Sequence, residues 1–288
     1  MKIIYRLIYQ SHINYIFRNL FKYFTNNIPI SISGCLSLSF KRHKFKLLTN
    51  PTCYVTYALF KDGPEAYEFT TLFEKLILNS KVFFDIGANI GYFTILGNKI
   101  NPSVHIYSFE PARGPLHYLK NNVSLNEAKN VTIIDKAVAD QTGELAFFEV
   151  VNPKYSWLKY QLNGSNSLQN QHGILKSESY KVNVITLRDV IKHHNLTQLD
   201  LIKLDTECTE HYILNSSIDV IKEFRPIIVS EIYEVIVSEM ELFIKQLDNY
   251  NIYHLDAGRM QLIYSLNDVH DSKERNFMFC PVEKIINL

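Results

Sequence analysis

The chain has 288 residues, 47% of them hydrophobic and 13% aromatic, which is enough apolar material for one full core and too much for a disordered chain. Its four cysteines, Cys35, Cys53, Cys208 and Cys280, form no C-x-x-C pair, so neither a zinc site nor a disulfide scaffold is indicated. Net charge is +1, but nine lysines and arginines precede the first acid, Asp62, and the other 21 basic residues face all 29 acids, leaving a body of −8 behind a basic end.

At that basic end, Ile13, Ile16, Phe17, Leu20, Phe21 and Phe24 recur at the i, i+3, i+4 spacing of one helical face, while Lys2, Arg6, Arg18 and Lys22 fall off it. Such a helix suits either of two partners. Residues 1–24 can lie peripherally on an anionic membrane surface, or the helix can dock on its own domain or on a second subunit of a homo-oligomer. No apolar run is long enough to span a bilayer, and Arg6 interrupts the first one before it could act as a signal core, so a cytoplasmic chain is expected. Residues 1–60 read as an extension carrying this helix and short strands; residues 61–288 read as the main domain.

Beyond residue 80, short apolar runs alternate with helical patterns, the rhythm of a parallel sheet covered on both faces. Val82 to Asp85 is followed by a helix through Ile90, Phe93, Leu96 and Ile100. "VHIYSFEP" and "NVTIID" read as the next strands, with a helix through Leu116, Leu119 and Val123 between them. "LDLIKLD" and "RPIIVSEI" are two more, separated by the helix "CTEHYILNSS". Each strand finishes on an acid: Asp85, Glu110, Asp135, Asp205 and Glu231. Ligands of open α/β sheets bind at the carboxyl ends of the strands, so five acids there point to a ligand offering positive charge or hydroxyl donors. The alternative for any one acid is a favourable position at the start of the next helix.

Between Asp135 and Asp205 that rhythm breaks. "TGELAFFEV" and "KVNVITLRDVI" read as additional strands, the second leading into a helix capped by Thr186. The intervening residues 152–179 are rich in Asn, Gln, Ser and Gly and hold the single tryptophan, Trp157. A polar stretch of that length inside a compact domain reads as a lid on the substrate side.

The stretch "GANIG" after the first strand has the glycines of a close backbone approach but lacks the full G-x-G-x-x-G that fits a pyrophosphate. Glu110 follows Asp85 by 25 residues, where an acid meets ribose hydroxyls. Together these favour a nucleoside ligand without a bridging diphosphate, and weigh against a nicotinamide-dependent dehydrogenase.

In consistent order over roughly residues 63–281, "GPEAYE", "VFFDIGANIGYF", "YSFEP", "AVADQTGELAF", "DLIKLDTECTE", "RPIIVSEI" and "NFMFCP" resemble the motifs of the FkbM family of S-adenosylmethionine-dependent methyltransferases. The resemblance implies an α/β, class I methyltransferase (Rossmann-like) fold, with a seven-stranded mostly parallel sheet whose last strand runs antiparallel and helices on both faces, plus the N-terminal helical extension. It implies S-adenosyl-L-methionine as cofactor and O-methylation of a sugar, glycan or glycolipid precursor, or secondary metabolite. By position, Asp85, Gly87, Ala88, Asn89 and Gly91 would hold the methionine end, Glu110 the ribose, and Asp135 with Ala137 the adenine. The chain departs from the family at Cys208, where glycine is usual, and at His211, where an apolar residue is usual.

Methyl transfer to a hydroxyl needs an acceptor oxygen in line with the methyl carbon and a base for its proton. Lys203, Asp205 and Glu207 are the candidate catalytic residues, Lys203 and Asp205 sharing one face of their strand. Either Asp205 or Glu207 is the base and Lys203 tunes it, or Lys203 and Asp205 form a structural ion pair. No spacing demands a metal, and Mg²⁺ stays an open alternative at clustered carboxylates. A non-catalytic binding protein on this fold, or a methyltransferase acting on protein or nucleic acid, are the competing readings; the acidic body argues against a nucleic acid partner.

Overall fold

A computed structural model describes residues 32–169, 177–256, 259–269 and 272–284. The helix expected over residues 13–24 lies outside the described residues. In chain order the elements are β1 (Gly34–Phe40), β2 (His43–Thr49), α1 (Tyr54–Asp62), α2 (Thr70–Leu78), β3 (Val82–Ile86), α3 (Tyr92–Ile100), β4 (His105–Phe109), α4 (Arg113–Leu125), β5 (Val131–Ile134), β6 (Ala137–Val138), β7 (Gly143–Val150), β8 (Ser177–Ile185), α5 (Leu187–His193), β9 (Leu201–Leu204), α6 (Glu210–Ser216), α7 (Ile218–Phe224), β10 (Ile227–Glu231), α8 (Val237–Ile244), β11 (Tyr250–Asp256), β12 (Arg259–Ile263) and β13 (Asn276–Pro281).

The main sheet has the order β12-β11-β13-β10-β9-β3-β4-β5. Strands β5, β4, β3, β9 and β10 run parallel, and β13 inserts antiparallel between β10 and β11. The closing strand "NFMFCP" is therefore antiparallel, as expected. The sheet differs from the expected seven strands by one: β12 returns antiparallel along β11, with Ile252 opposite Ile263, and adds an eighth at the edge.

Side chains alternate across this sheet with period two, and both faces are covered. Phe83, Ile106, Leu201 and Val229 point to one side, into a core with Phe73 and Ile77 of α2 and Ile95 and Leu96 of α3. Phe84, Phe109, Ile202 and Ile228 point to the other, against Leu187 and Val190 of α5, Ile213 of α6, Ile221 of α7 and Phe243 of α8. The β1–β2 hairpin joins the first core through Leu36, Phe40 and Leu47. It is fastened by Asn122 of α4, fully buried, whose Oδ1 accepts from the Leu48 amide at 2.6 Å while its Nδ2 donates to the Ile90 carbonyl at 2.8 Å.

The two additional strands predicted before Asp205 are β7 and β8, and with β6 they form a separate three-stranded sheet. Thr186 caps α5 as expected, its side chain accepting from the Asp189 amide at 3.1 Å. The helix read as starting at Cys208 starts two residues later, because Glu207 and Cys208 both have left-handed backbone (φ 57° and 76°). That conformation gives the family's usual glycine at this position its physical reason, and here a cysteine bears it.

Candidate active site

The chain reverses its direction of travel through the sheet between β3 and β9, and ligands of open α/β sheets bind at such switch points. A cavity of about 320 Å³ opens there, at the carboxyl ends of the parallel strands, a volume suited to a small molecule. Its floor is the turn after β3. The Gly87 and Ala88 amides both donate to the Phe109 carbonyl, at 3.1 and 3.0 Å, which ties the turn to the end of β4. Gly87 has φ +73°, and a Cβ there would sit 1.8 Å from the Asp205 carbonyl oxygen, so only glycine lets the first turn meet the end of β9. At Gly91, φ +89°, a Cβ would come within 2.6 Å of Leu119 Cδ1.

Glu110 closes one wall. Its Oε2 accepts from the Asn89 amide and its Oε1 from the Ala112 amide, both at 2.8 Å, with the side chain 6% exposed. Burial pushes this carboxyl up to about 7, against those two hydrogen bonds. A carboxylate offers about four acceptor positions, so two remain for ligand hydroxyls. Beyond it, Lys136, Ala137 and Phe147 line the cavity. Asp135 does not: its side chain is 63% exposed and faces Lys120 at 3.8 Å.

Asp85 lies below the floor, 1% exposed, where Thr94 donates to its Oδ2 at 2.6 Å. Register makes it the direct neighbour of Lys203 on β9. The Lys203 ammonium, 7% exposed, donates to the Gly87 carbonyl and to Asp205 Oδ2, each at 3.1 Å, and stands 3.8 Å from Asp85 Oδ1. Burial alone would lower its pKa, but Asp205, Asp85 and Glu68 outweigh that and hold it above the usual lysine value, so the ammonium stays charged. Lys203 thus braces the floor from beneath and borders a small recess beside Phe93.

Opposite Glu110, the loop after β9 and the end of β10 bring together Asp205, Glu207 and Glu231, which can each present an oxygen within 4.8 Å of the others. Burial, and then the neighbouring Asp205, push Glu207 up to about 8 and Glu231 up to about 9. This trio has the oxygen chemistry of a divalent-cation set, although carboxylate groups of this kind are common without one.

Several lining residues lie outside the sequence-derived site. Glu68, just before α2 and with φ 43°, reaches the cavity beside Gly87; the residue is exposed, yet the protein around its carboxyl and then Asp205 raise that group to about 7. Tyr54, Tyr67 and Tyr233 add aromatic walls. Glu68 and Tyr67 fall within "GPEAYE", where nothing in the local pattern marks a cavity residue. Glu231 was visible as a strand-ending acid. The polar stretch read as a lid contributes Leu162, Gly164, Ser165, Asn166 and Leu168, whereas Trp157, 72% exposed, is not among the lining residues. This wall is pinned: the Phe148 amide donates to the Ser167 carbonyl at 2.9 Å, Ser167 Oγ donates to the Glu207 carbonyl at 2.7 Å, and the Leu162 amide donates to Thr52 Oγ1 at 2.6 Å.

Residues 85–255, more than half of the chain and containing the whole cavity floor, match the profile of the Methyltransferase FkbM domain. The chain belongs to the FkbM methyltransferase family. Among curated proteins it is similar to the 31-O-demethyl-FK506 methyltransferase FkbM of Streptomyces tacrolimicus, 26% identical over an alignment of 151 residues, gaps included, that covers 46% of this chain and 58% of that protein. The chain thus spans less than two thirds of that relative's length. Among solved structures it is similar to Methyltransferase FkbM from Methylobacillus flagellatus KT (16% identity, 69% of this chain and 43% of that chain, TM-score 0.44). It is also similar to TYW2 of M. jannaschii in complex with AdoMet (16% identity, 88% and 86%, TM-score 0.41). Among the described residues, no helix is long and apolar enough to cross a membrane.

The residues present fit the cofactor of this family. The cavity-lining turn at Gly87 and Asn89 and the two unused acceptor positions of Glu110 suit the backbone approach and ribose hydroxyls of a nucleoside. The cluster of Asp205, Glu207 and Glu231 beyond Gly87, three acids beside one lysine, suits a positive charge.

Proposed function

We propose that this chain transfers a methyl group from S-adenosyl-L-methionine to a hydroxyl of a sugar, glycan or glycolipid precursor, or secondary metabolite. The observation that carries this reading is the juxtaposition at the sheet switch point, where the Gly87 cradle separates the Glu110 wall from the carboxylates of Asp205, Glu207 and Glu231. When bound, the cofactor supplies a methyl carbon activated by its sulfonium. Glu110, with the amides of Asn89 and Ala112 fixing its carboxylate, binds the ribose, and Gly87 to Asn89 take the amino acid end. Ala137 lies at the adenine end. Asp135, directed away from the cavity, has no part in this arrangement.

Asp205 or Glu207 takes the acceptor's hydroxyl proton, and Lys203 positions Asp205 through the 3.1 Å contact while holding the Gly87 carbonyl. General-base assistance of this kind is worth roughly 10²–10⁴ in rate. Residues 1–24 bring the enzyme to an anionic membrane surface where a glycolipid acceptor would be met.

Calorimetry with S-adenosyl-L-methionine tests the cofactor, and a screen of glycosides, nucleotide sugars and polyols with a labelled methyl donor tests the reaction. The variant Asp205→Asn is expected to keep cofactor affinity and lose turnover; full turnover excludes Asp205 as the base. Failure to co-sediment with anionic vesicles at low salt removes the membrane part alone.

A further inference from the structure

The charges around the cavity are sorted by position. Lys136, beside Ala137, is the one basic residue among the described lining residues, and it follows β5 at the Glu110 side. Three to four strand spacings away along the sheet, roughly 14–19 Å at about 4.8 Å each, the loop after β9 and the end of β10 carry Asp205, Glu207 and Glu231, and Glu68 faces the same space. The nearby cations are engaged elsewhere. Lys203 is held beneath the floor by Asp85, Asp205 and the Gly87 carbonyl. Arg275 is stacked over the Tyr233 ring at 4.3 Å and does not line the cavity.

The same space has aromatic faces. Tyr67 and Tyr233 line it, and the Tyr233 hydroxyl shares hydrogen bonding with Glu207 and Glu231. Carboxylates accept hydrogen bonds from hydroxyl and ammonium groups and repel phosphate and carboxylate; ring faces pack against the C–H face of a polyol and attract cations. Burial, and then the neighbouring Asp205, raise the Glu207 and Glu231 carboxyls, and Arg275 only partly offsets this at Glu207.

Resting on the methyltransferase reading, we infer that the acceptor enters this end as an uncharged or positively charged hydroxyl compound, and that this end, lined by Glu68, Asp205, Glu207 and Glu231 with no cation to pair an anion, disfavours uronic acids, sugar phosphates and nucleotide-linked sugars whose phosphates would reach the cavity. Acceptor charge is thus a specificity determinant separate from the chemistry of transfer.

The test uses three probes with one ring and different charges: methyl glucoside, its 6-amino-6-deoxy derivative and the corresponding glucuronide. Binding of each to the full chain is measured by ligand-observed NMR at about pH 8.5, where Glu68 and Glu207 are largely ionised, and at one salt concentration, with S-adenosyl-L-methionine affinity measured by calorimetry on the same sample. The amine is expected to bind at least tenfold more tightly than the glucuronide, with the neutral glycoside between them. In Glu207→Gln/Glu231→Gln that ratio is expected to fall toward one, with a thermal melt confirming a folded variant. A glucuronide that binds as well as the neutral probe, a ratio unchanged in the variant, or no binding by any of the three overturns the inference. Loss of S-adenosyl-L-methionine binding in the unaltered chain overturns the methyltransferase reading instead.

Discussion

Replacing Gly87 by alanine tests the cradle most directly. The new Cβ would lie 1.8 Å from the Asp205 carbonyl oxygen and 2.9 Å from its carbon, and both obstacles are backbone, so no rotamer change relieves them. Restoring an ordinary contact requires the turn and the end of β9 to separate by roughly 1.5 Å. That displacement takes the Lys203–Gly87 carbonyl bond, 3.1 Å, and the Asp205 amide to Ile86 carbonyl bond, 3.2 Å, beyond hydrogen-bonding range. Two such bonds at about 0.5–1.5 kcal/mol each, plus about 1–2 kcal/mol for an L-residue at φ +73°, give a destabilisation of about 2–5 kcal/mol. This is a large fraction of the 5–15 kcal/mol typical of a domain. Urea unfolding followed by circular dichroism should show the lower midpoint, and calorimetry should show S-adenosyl-L-methionine affinity falling with it. Gly164→Ala is the control: it lines the same cavity, but its Cβ would meet nothing within 4 Å. A Gly87→Ala protein with the midpoint and cofactor affinity of the unaltered chain would falsify the close approach.

Lys203→Met leaves Asp85 buried without its cation, and a loss of about 3–5 kcal/mol is expected in chemical denaturation; a change under about 1 kcal/mol would mean that Lys203 is not the brace of the floor. Asn122→Ala strips the Leu48 amide and the Ile90 carbonyl of their buried partner, so a loss of about 2–4 kcal/mol should accompany faster hydrogen exchange of β2 than of β3 and β9; uniform exchange would contradict a separable hairpin. Glu110, Glu207 and Glu231 are raised from the ordinary 4.5 to about 7, 8 and 9, so the folded chain holds more protons than the unfolded one between those values. Their contribution to stability is complete below about pH 4.5 and is lost as pH rises toward 9, so the melting temperature of the ligand-free protein should fall over that range once other groups are matched by comparison with Glu207→Gln/Glu231→Gln. A difference between the two proteins that does not change with pH would count against the assigned burial.

Much of the framework could be read in the chain. The parallel strands, Thr186 as a cap and the antiparallel closing strand follow from local apolar periodicity, turn residues and the quoted motifs, all properties of neighbouring residues. The glycines after β3 announced a close backbone approach, and the alternation of Lys203 with Asp205 announced a shared face. Where the reading stopped short, the cause was distance along the chain. The identical local pattern, an acid ending a strand, describes Asp85 and Asp135, yet one is sealed beneath the floor by β3–β9 register and the other projects to solvent at the sheet edge. Glu68 enters the site from a segment with no strand signal, and the eighth strand exists because β12 finds an open edge on β11.

What the sequence by itself determined is the class of fold, the family and the presence of an acid-rich, glycine-lined rim, because these reside in short-range patterns and in the order of motifs. Only the tertiary structure decided which acids share the cavity, that Lys203 serves from below it, and that Gly87 stands against Asp205. Those outcomes depend on strand order and register, set by packing among residues more than a hundred positions apart, which no local pattern encodes.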